Sequence, residues 1–266
     1  MITSATNNKI KNASKLMSSS KLRHEKKLFI AEGRKMFAEA CEYLRDNIEE
    51  VYVSEKYFDI LNSTGLDELN SVVKDKLNSV NYEIVSDVVF KKLSDTVTPQ
   101  GIITILKCQT YDINELLEQS DDELKILVLE GIQDPGNLGT MVRTAEAAGV
   151  KFILADKNTV DVYNPKVIRS TMGSIYRVPV IYTDDLLKAV EDLKALDVKV
   201  YAAHLKGNNS YKAEQFYKRR AILIGNEGNG LSDAITDKAD ILIKIPMKGK
   251  VESLNAAVAA SLLMFE

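Results

Sequence analysis

Residues 245–266 read IPMKGKVESLNAAVAASLLMFE, and the fold of the chain turns on this stretch. Apolar residues recur at Leu254, Ala257, Val258, Leu262 and Phe265, the three-and-four spacing of a helix face. The opposite face carries Ala256, Ala259, Ala260 and Leu263 instead of charges, so the pattern predicts a final helix that is covered on most sides. Just before it stand Ile245, Pro246, Met247, a glycine between two lysines, and the polar residues Ser253 and Asn255. Ser253 reads equally as a helix cap or a functional group, and Asn255 equally as a satisfied first-turn polar group or a functional one.

Upstream, KILVLE, VKFILAD, VPVIYT, VKVYAAH, AILIGN and DILIKIP are rich in Val, Ile and Leu on both faces, and helical stretches separate most of them. Strands of that kind belong to a parallel sheet covered on both sides, an α/β fold. Before them, KLFIAEG, EVYVS, YEIVS and GIITILK with the helix RKMFAEACEYLRD predict a smaller α/β domain over residues 1–107. The acidic stretch over residues 108–122 reads as a linker, within which INELLE can form a turn of helix, leaving 123–266 as the second domain.

A length of 266 residues with 45% hydrophobic and 27% charged residues is enough for one large or two modest domains. Apolar runs fall short of a membrane span, and the first residues lack the apolar region of a signal peptide, so a cytoplasmic protein without a membrane partner is expected. Cys41, Cys108, His24 and His204 are isolated and match no metal-ligand spacing; no metal is expected. The net charge of -3 excludes a uniformly basic nucleic-acid binder, but residues 9–27 hold seven Lys or Arg against one acid. That segment, with Lys9, Lys21 and Arg23, is either a polyanion site or a solvated, partly disordered tail.

In a parallel sheet, ligands bind beyond the carboxyl ends of the strands. Three loops stand there: DPGNLGTMVRTAEAAG after KILVLE, NEGNGLS after AILIG, and the stretch quoted first. Gly225, Gly228 and Gly230 do not follow the dinucleotide order of glycines. Taken singly, Asn137 reads as a cap and Arg143 as an ordinary helix residue.

Together, NLGTMVRTAEAAG, ILIGNEGNGLS and IPMKGKVESLNAAVAASLLMFE resemble, in order and spacing, the three signature motifs of the SpoU (TrmH-like) family of RNA ribose 2'-O-methyltransferases. The resemblance runs from about Ile126 to Glu266, with NPKVIRSTMGSIYRVPV similar to the segment between the first and second motifs. SATNNKIKNASKL, FIAEGRKMF and TPQGI resemble the substrate-binding domain of many bacterial members. The resemblance implies a deep trefoil knot in the second domain, an exception to unknotted topology, and a small L30e-like first domain. It also implies a homodimer through the last helix, and S-adenosylmethionine as cofactor. Gly225, Asn226, Glu227, Gly228, Ile245, Met247 and Leu254 are the implied cofactor contacts; Asn137, Arg143, Glu227, Ser253 and Asn255 are the implied catalytic set; Lys9, Lys21, Arg23, Arg143 and Arg169 are expected to touch RNA.

The implied chemistry is methyl transfer to a ribose 2'-hydroxyl, for which alignment can supply ~7–11 kcal/mol of barrier reduction. The family proposal makes Arg143 the general base. A guanidinium pKa above ~12 favours phosphate and ribose anchoring instead. Ribosomal RNA is the favoured partner and transfer RNA the alternative; a catalytically idle RNA-binding assembly factor is the competing class.

Overall fold

The computed structural model describes residues 1–118, 122–207 and 209–266. It resolves into two compact units, Met1–Thr110 with Tyr163–Tyr176, and Tyr111–Val162 with Arg177–Glu266. The expected boundary at 107 therefore needs an amendment, because residues 163–176 count with the first unit. Within the stretch 108–122, INELLE forms a short helix, the alternative its sequence allowed, and residues 119–121 lie outside the described residues.

The first unit runs α1 (Asn8–Ser18), α2 (Ser20–Lys26), β1 (Leu28–Glu32), α3 (Arg34–Tyr43), β2 (Ile48–Ser54), α4 (Glu55–Leu61), α5 (Glu68–Leu77), β3 (Glu83–Val85), α6 (Asp87–Leu93) and β4 (Ile102–Lys107). Its sheet has the order β1-β4-β2-β3, with β4 antiparallel to both neighbours and β3 parallel to β2. Alternation along the strands feeds two cores. Ile30, Tyr52, Ile103 and Ile105 face Ile10, Leu16, Phe90 and Leu93, whereas Val51, Val53 and Ile102 face Phe37, Leu61, Val73 and Leu77. The glycine of TPQGI, Gly101, enters β4 at φ +84°, and a Cβ there would lie 2.3 Å from Tyr57 Cβ. Only glycine fits that turn. Cys41 lies in the second core, where desolvation pushes its thiol up to about 11, making it an inert apolar side chain.

The basic segment is ordered as two helices, which excludes the reading as a disordered tail. Asn7 caps α1 by accepting the Lys9 N–H at 2.9 Å, and Ile10, Ala13 and Leu16 are buried on one face. Lys9, Lys11, Lys15, Lys21, Lys26 and Lys27 are left on the exposed side. Arg23 is the exception and corrects the expectation of an RNA contact: it is 3% exposed, and its Nη1 donates to the Leu16 carbonyl at 2.8 Å. It satisfies a carbonyl at the end of α1 and holds α2 against it.

The second unit opens with α7 (Ile113–Glu118), β5 (Leu124–Leu129), α8 (Pro135–Ala147) and β6 (Phe152–Asp156). After α9 (Pro165–Thr171), which counts with the first unit, it continues with β7 (Val180–Thr183), α10 (Leu186–Ala195), β8 (Lys199–Ala203), β9 (Asn209–Ser210), β10 (Arg219–Ile224), α11 (Asp233–Thr236), β11 (Ile241–Lys244) and α12 (Ala256–Met264). The sheet order is β7-β6-β5-β10-β8-β11-β9 and every pairing is parallel, as the two-faced apolar strands predict. From β5 the chain moves outward to β6 and β7; from β10, which lies beside β5, it moves the opposite way, to β11. The boundary between β5 and β10 is a topological switch point. Ile224 pairs with Leu129, so the two chains leave the sheet side by side.

The last helix is covered on one side only within a single chain. Ala257, Ala260, Leu263 and Met264 are buried, but Val258 is 48% and Phe265 62% exposed. Its cap is Asn255 and not Ser253: Asn255 Oδ1 accepts the N–H groups of Ala257 at 2.9 Å and Val258 at 3.3 Å.

The burial of Arg23 makes a direct test. Arg23→Ala strands carbonyls at the end of α1 and is expected to cost about 1–3 kcal/mol, seen as a lower urea midpoint. Lys21→Ala should stay within about 0.5 kcal/mol of the parent, because that side chain is solvated. Equal midpoints for the two variants would show that Arg23 does not hold the helices.

Candidate active site

The first loop leaves β5 at Glu130 and enters α8 through Asp134, whose Oδ1 accepts the Asn137 N–H at 2.8 Å, with Pro135 at the first helical position. Asp134 is thus the cap, which frees the Asn137 side chain. The second loop leaves β10 and closes on itself: Asn226 and Gly230 exchange backbone hydrogen bonds at 3.1 and 2.9 Å. Asn226 Oδ1 accepts the N–H of Gly228 at 2.8 Å and of Asn229 at 3.2 Å. A Cβ on Gly225 would lie 2.2 Å from Gly230 C and Leu231 N. The bare Cα of Gly225 lets the loop close on its own backbone. Any branched side chain at 225 opens the loop whether or not a ligand is bound.

The two loops and the start of α12 meet in one hydrogen-bonded chain. Asn255 Nδ2 donates to Asn137 Oδ1 at 2.9 Å, and Asn137 Nδ2 donates to Glu227 Oε1 at 2.9 Å. The Glu227 carboxylate also accepts the N–H groups of Gln133 and Asp134, each at 3.2 Å. Desolvation works to raise the Glu227 carboxyl, but these donors outweigh it and hold the group below its ordinary value. A folded value below the unfolded one stabilises the loop above the ordinary carboxylate range. That contribution is lost as pH falls through the lowered value.

Beside this chain lies a cavity of about 380 Å³, within the ~300–1,000 Å³ span of small-molecule sites. Gly225, Asn226, Glu227, Gly228, Ile245, Met247 and Leu254, all named as cofactor contacts from sequence, line it, and so does Ser253. Ser253 makes no hydrogen bond among the described residues. Ile224, Ile243 and Ala203 at the strand ends supply an apolar floor, and the 225–231 backbone supplies polar groups. An apolar cleft with backbone donors and acceptors and a thioether wall suits a nucleoside joined to a sulfonium amino acid; no cluster of arginines or lysines forms the phosphate cradle that a nucleotide demands. Among the described residues there is no group of three or more His, Cys, Asp or Glu able to hold a metal ion.

Arg143 sits on the exposed side of α8 and has no ion pair among the described residues. It does not line the cavity. Arg169, in the first unit, is bound to Asp95 through Nη2 at 3.1 Å, and Lys9 is paired with Glu83, so neither is an uncommitted cation. Lys21 is 85% exposed beside Glu25 at 3.8 Å.

Sequence reasoning missed His204 and Lys206, which line the cavity from the loop after β8. The Lys206 N–H donates to His204 Nδ1 at 3.1 Å, so the neutral ring carries its proton on Nε2. The signal was available: VKVYAAH ends a strand of the same sheet, and the rule that directs attention to strand ends applies to it as to the other three.

A 23S rRNA (guanosine(2553)-2'-O)-methyltransferase of Bacillus subtilis is 41% identical over 141 residues, covering 53% of this chain and 56% of that protein. The chain thus matches little more than half the length of this relative. A solved RNA 2'-O ribose methyltransferase superposes with a TM-score of 0.81 at 28% identity, over 99% of this chain and 96% of the other. An AdoMet-bound rRNA methyltransferase from Sinorhizobium meliloti gives 0.78 at 27% identity, over 99% and 95%. Residues 7–104 match the MRM3-like substrate binding domain. Residues 125–265, more than half of the chain, match the model of the SpoU rRNA methylase family, and the chain belongs to that family.

Proposed function

We propose that the chain transfers a methyl group from S-adenosylmethionine to a ribose 2'-hydroxyl of structured RNA, with ribosomal RNA favoured over transfer RNA. The observation that carries this reading is the chain from Asn255 through Asn137 to Glu227, set beside a cavity that fits the cofactor. The names of the Bacillus subtilis and Sinorhizobium meliloti relatives support the substrate class and the cofactor.

When bound, the cofactor supplies an electrophilic methyl group on a sulfonium. Gly225–Leu231, Ile245, Met247 and Leu254 enclose it and exclude water. Glu227 is an organiser and not a base: its oxygens are already committed to Asn137 and to the N–H groups of Gln133 and Asp134. Held by that carboxylate and by Asn255, Asn137 has a fixed orientation from which to place the hydroxyl. Arg143, exposed on α8 and without an ion pair among the described residues, anchors phosphate with its two-pronged guanidinium, and the hydroxyl proton departs late, to water. The exposed lysines Lys11, Lys15, Lys21 and Lys26 of α1 and α2, with Lys27 just after, give the first unit a face for the RNA backbone.

Three structural elements complete the reading. The segment after β11 returns to the 225–231 loop before α12 packs on α8 and β10, which supports a trefoil knot. The mixed four-stranded sheet between helical layers supports an L30e-like substrate domain. The open face of α12, with Val258, Leu262 and Phe265 around an apolar hollow of about 370 Å³, supports a homodimer. No helix among the described residues is long and apolar enough to cross a membrane, and no disulfide joins Cys41 to Cys108; a cytoplasmic setting fits both.

Transfer of tritium from labelled S-adenosylmethionine to ribosomal RNA tests the activity, and cofactor binding without transfer would favour an idle RNA-binding factor. Arg143→Lys should lower single-turnover methylation in parallel at all pH values, with cofactor affinity unchanged. A lysine variant whose rate rises at lower pH than the parent would make residue 143 the base. Val258→Asp should yield a folded monomer in sedimentation velocity, since this position is half exposed in the single chain; a dimer of parental affinity would place the interface elsewhere.

A further inference from the structure

Asp156 ends β6, is 8% exposed, and takes no part in the chemistry above. Its Oδ1 accepts the N–H of Gly131 at 2.8 Å and, from Thr159, the N–H at 3.0 Å and the hydroxyl at 2.7 Å. Its Oδ2 accepts Asn158 Nδ2 at 2.9 Å. The bonds to Thr159 and Asn158 would suffice for a local turn after β6. The bond to Gly131 does something else: it crosses to the loop after β5. Thr159 repeats the crossing, its Oγ1 accepting the Ile132 N–H at 3.2 Å, while the Val160 N–H donates to the Ile132 carbonyl at 2.8 Å.

The loop is thereby fixed where it leaves β5. From the other side, Asn226 Nδ2 donates to the Gly131 carbonyl at 2.7 Å, and Gly131 itself adopts φ +66°. Both polar groups of Gly131 are committed, and the next residues have no freedom to drift. Those residues are Gln133 and Asp134, whose N–H groups hold Glu227. A buried carboxylate accepting four donors is costly to disturb, because each lost bond leaves a desolvated group unpaired.

The structure assigns Asp156, with Thr159, as a positioning residue for methyl transfer: it sets the Gly131–Asp134 backbone that holds Glu227, and through Glu227 the orientation of Asn137. The inference rests on the activity proposed above. Asp156 itself does not line the cavity.

The test separates the crossing bond from the local turn. Asp156→Ala removes the acceptor for Gly131, whereas Asp156→Asn keeps it in Oδ1, and the exposed Asn158 amide can turn its oxygen to the new N–H. Single-turnover methylation at saturating RNA and cofactor should fall about ten- to hundredfold in Asp156→Ala, the scale of a small misplacement of reacting groups, with cofactor affinity unchanged. Asp156→Asn should recover most of the rate. The Glu227 carboxyl, followed by carbon NMR in the folded full-length chain, should titrate higher in Asp156→Ala than in the parent and return toward the parent in Asp156→Asn. An unchanged rate in Asp156→Ala, or an Asp156→Asn variant as slow as Asp156→Ala, would overturn the assignment. If the parent methylates no RNA, the activity reading fails, and the Glu227 titration still decides this inference: an unmoved titration overturns it.

Discussion

The site depends on the polarity of one asparagine. Asn255 Oδ1 is committed to the N–H groups that begin α12, so its amide nitrogen must point the other way and donate. Asn137 must then accept with Oδ1 and donate with Nδ2, and the group that receives this donation must be an acceptor only. Glu227, ionised, is such a group, and two backbone N–H donors reinforce its charge. Reversing any one amide would set like against like along the whole chain. A helix cap, a first-motif asparagine and a glycine-loop glutamate thereby share one state.

That interaction is available only because of the sheet. Parallel pairing of β5 with β10 brings Leu129 opposite Ile224, and both chains leave the sheet at the same level. Ser232 then donates to the Glu130 carboxylate from its N–H at 2.8 Å and its hydroxyl at 2.6 Å, binding the far end of the glycine loop to the root of the other. Gly225 admits the returning backbone of Gly230 and Leu231. The cavity is thus bounded by a loop that is closed by its own hydrogen bonds.

The strands of both units were legible because apolar runs and alternations map directly onto burial, and the loops of the site because they follow strands of a parallel sheet. The motifs then gave the residues but not their partners. Glu227 is held by Asn137 together with the backbone N–H groups of Gln133 and Asp134, and no pattern of side chains encodes those backbone donors. Ser253 and Asn255 are equivalent candidates for a cap in sequence, and only the chain direction at the start of α12 selects Asn255. Arg23 looks like any other cation of its segment, yet the turn between α1 and α2 points it at the Leu16 carbonyl. His204 was passed over because its sequence neighbours carry no metal or catalytic pattern; the sheet brings it to the cavity.

Asn255→Asp isolates the central interaction. Asp caps a helix about as well as Asn, so α12 keeps its start, but the new side chain has no donor for Asn137 Oδ1. Single-turnover methylation of ribosomal RNA by this variant, measured beside its melting temperature and its affinity for S-adenosylmethionine, is the deciding experiment. A folded, cofactor-binding protein whose transfer rate has collapsed is the predicted result. Parental rates from an equally stable variant would contradict the account, because methyl transfer would then not depend on the polarity that Asn255 imposes.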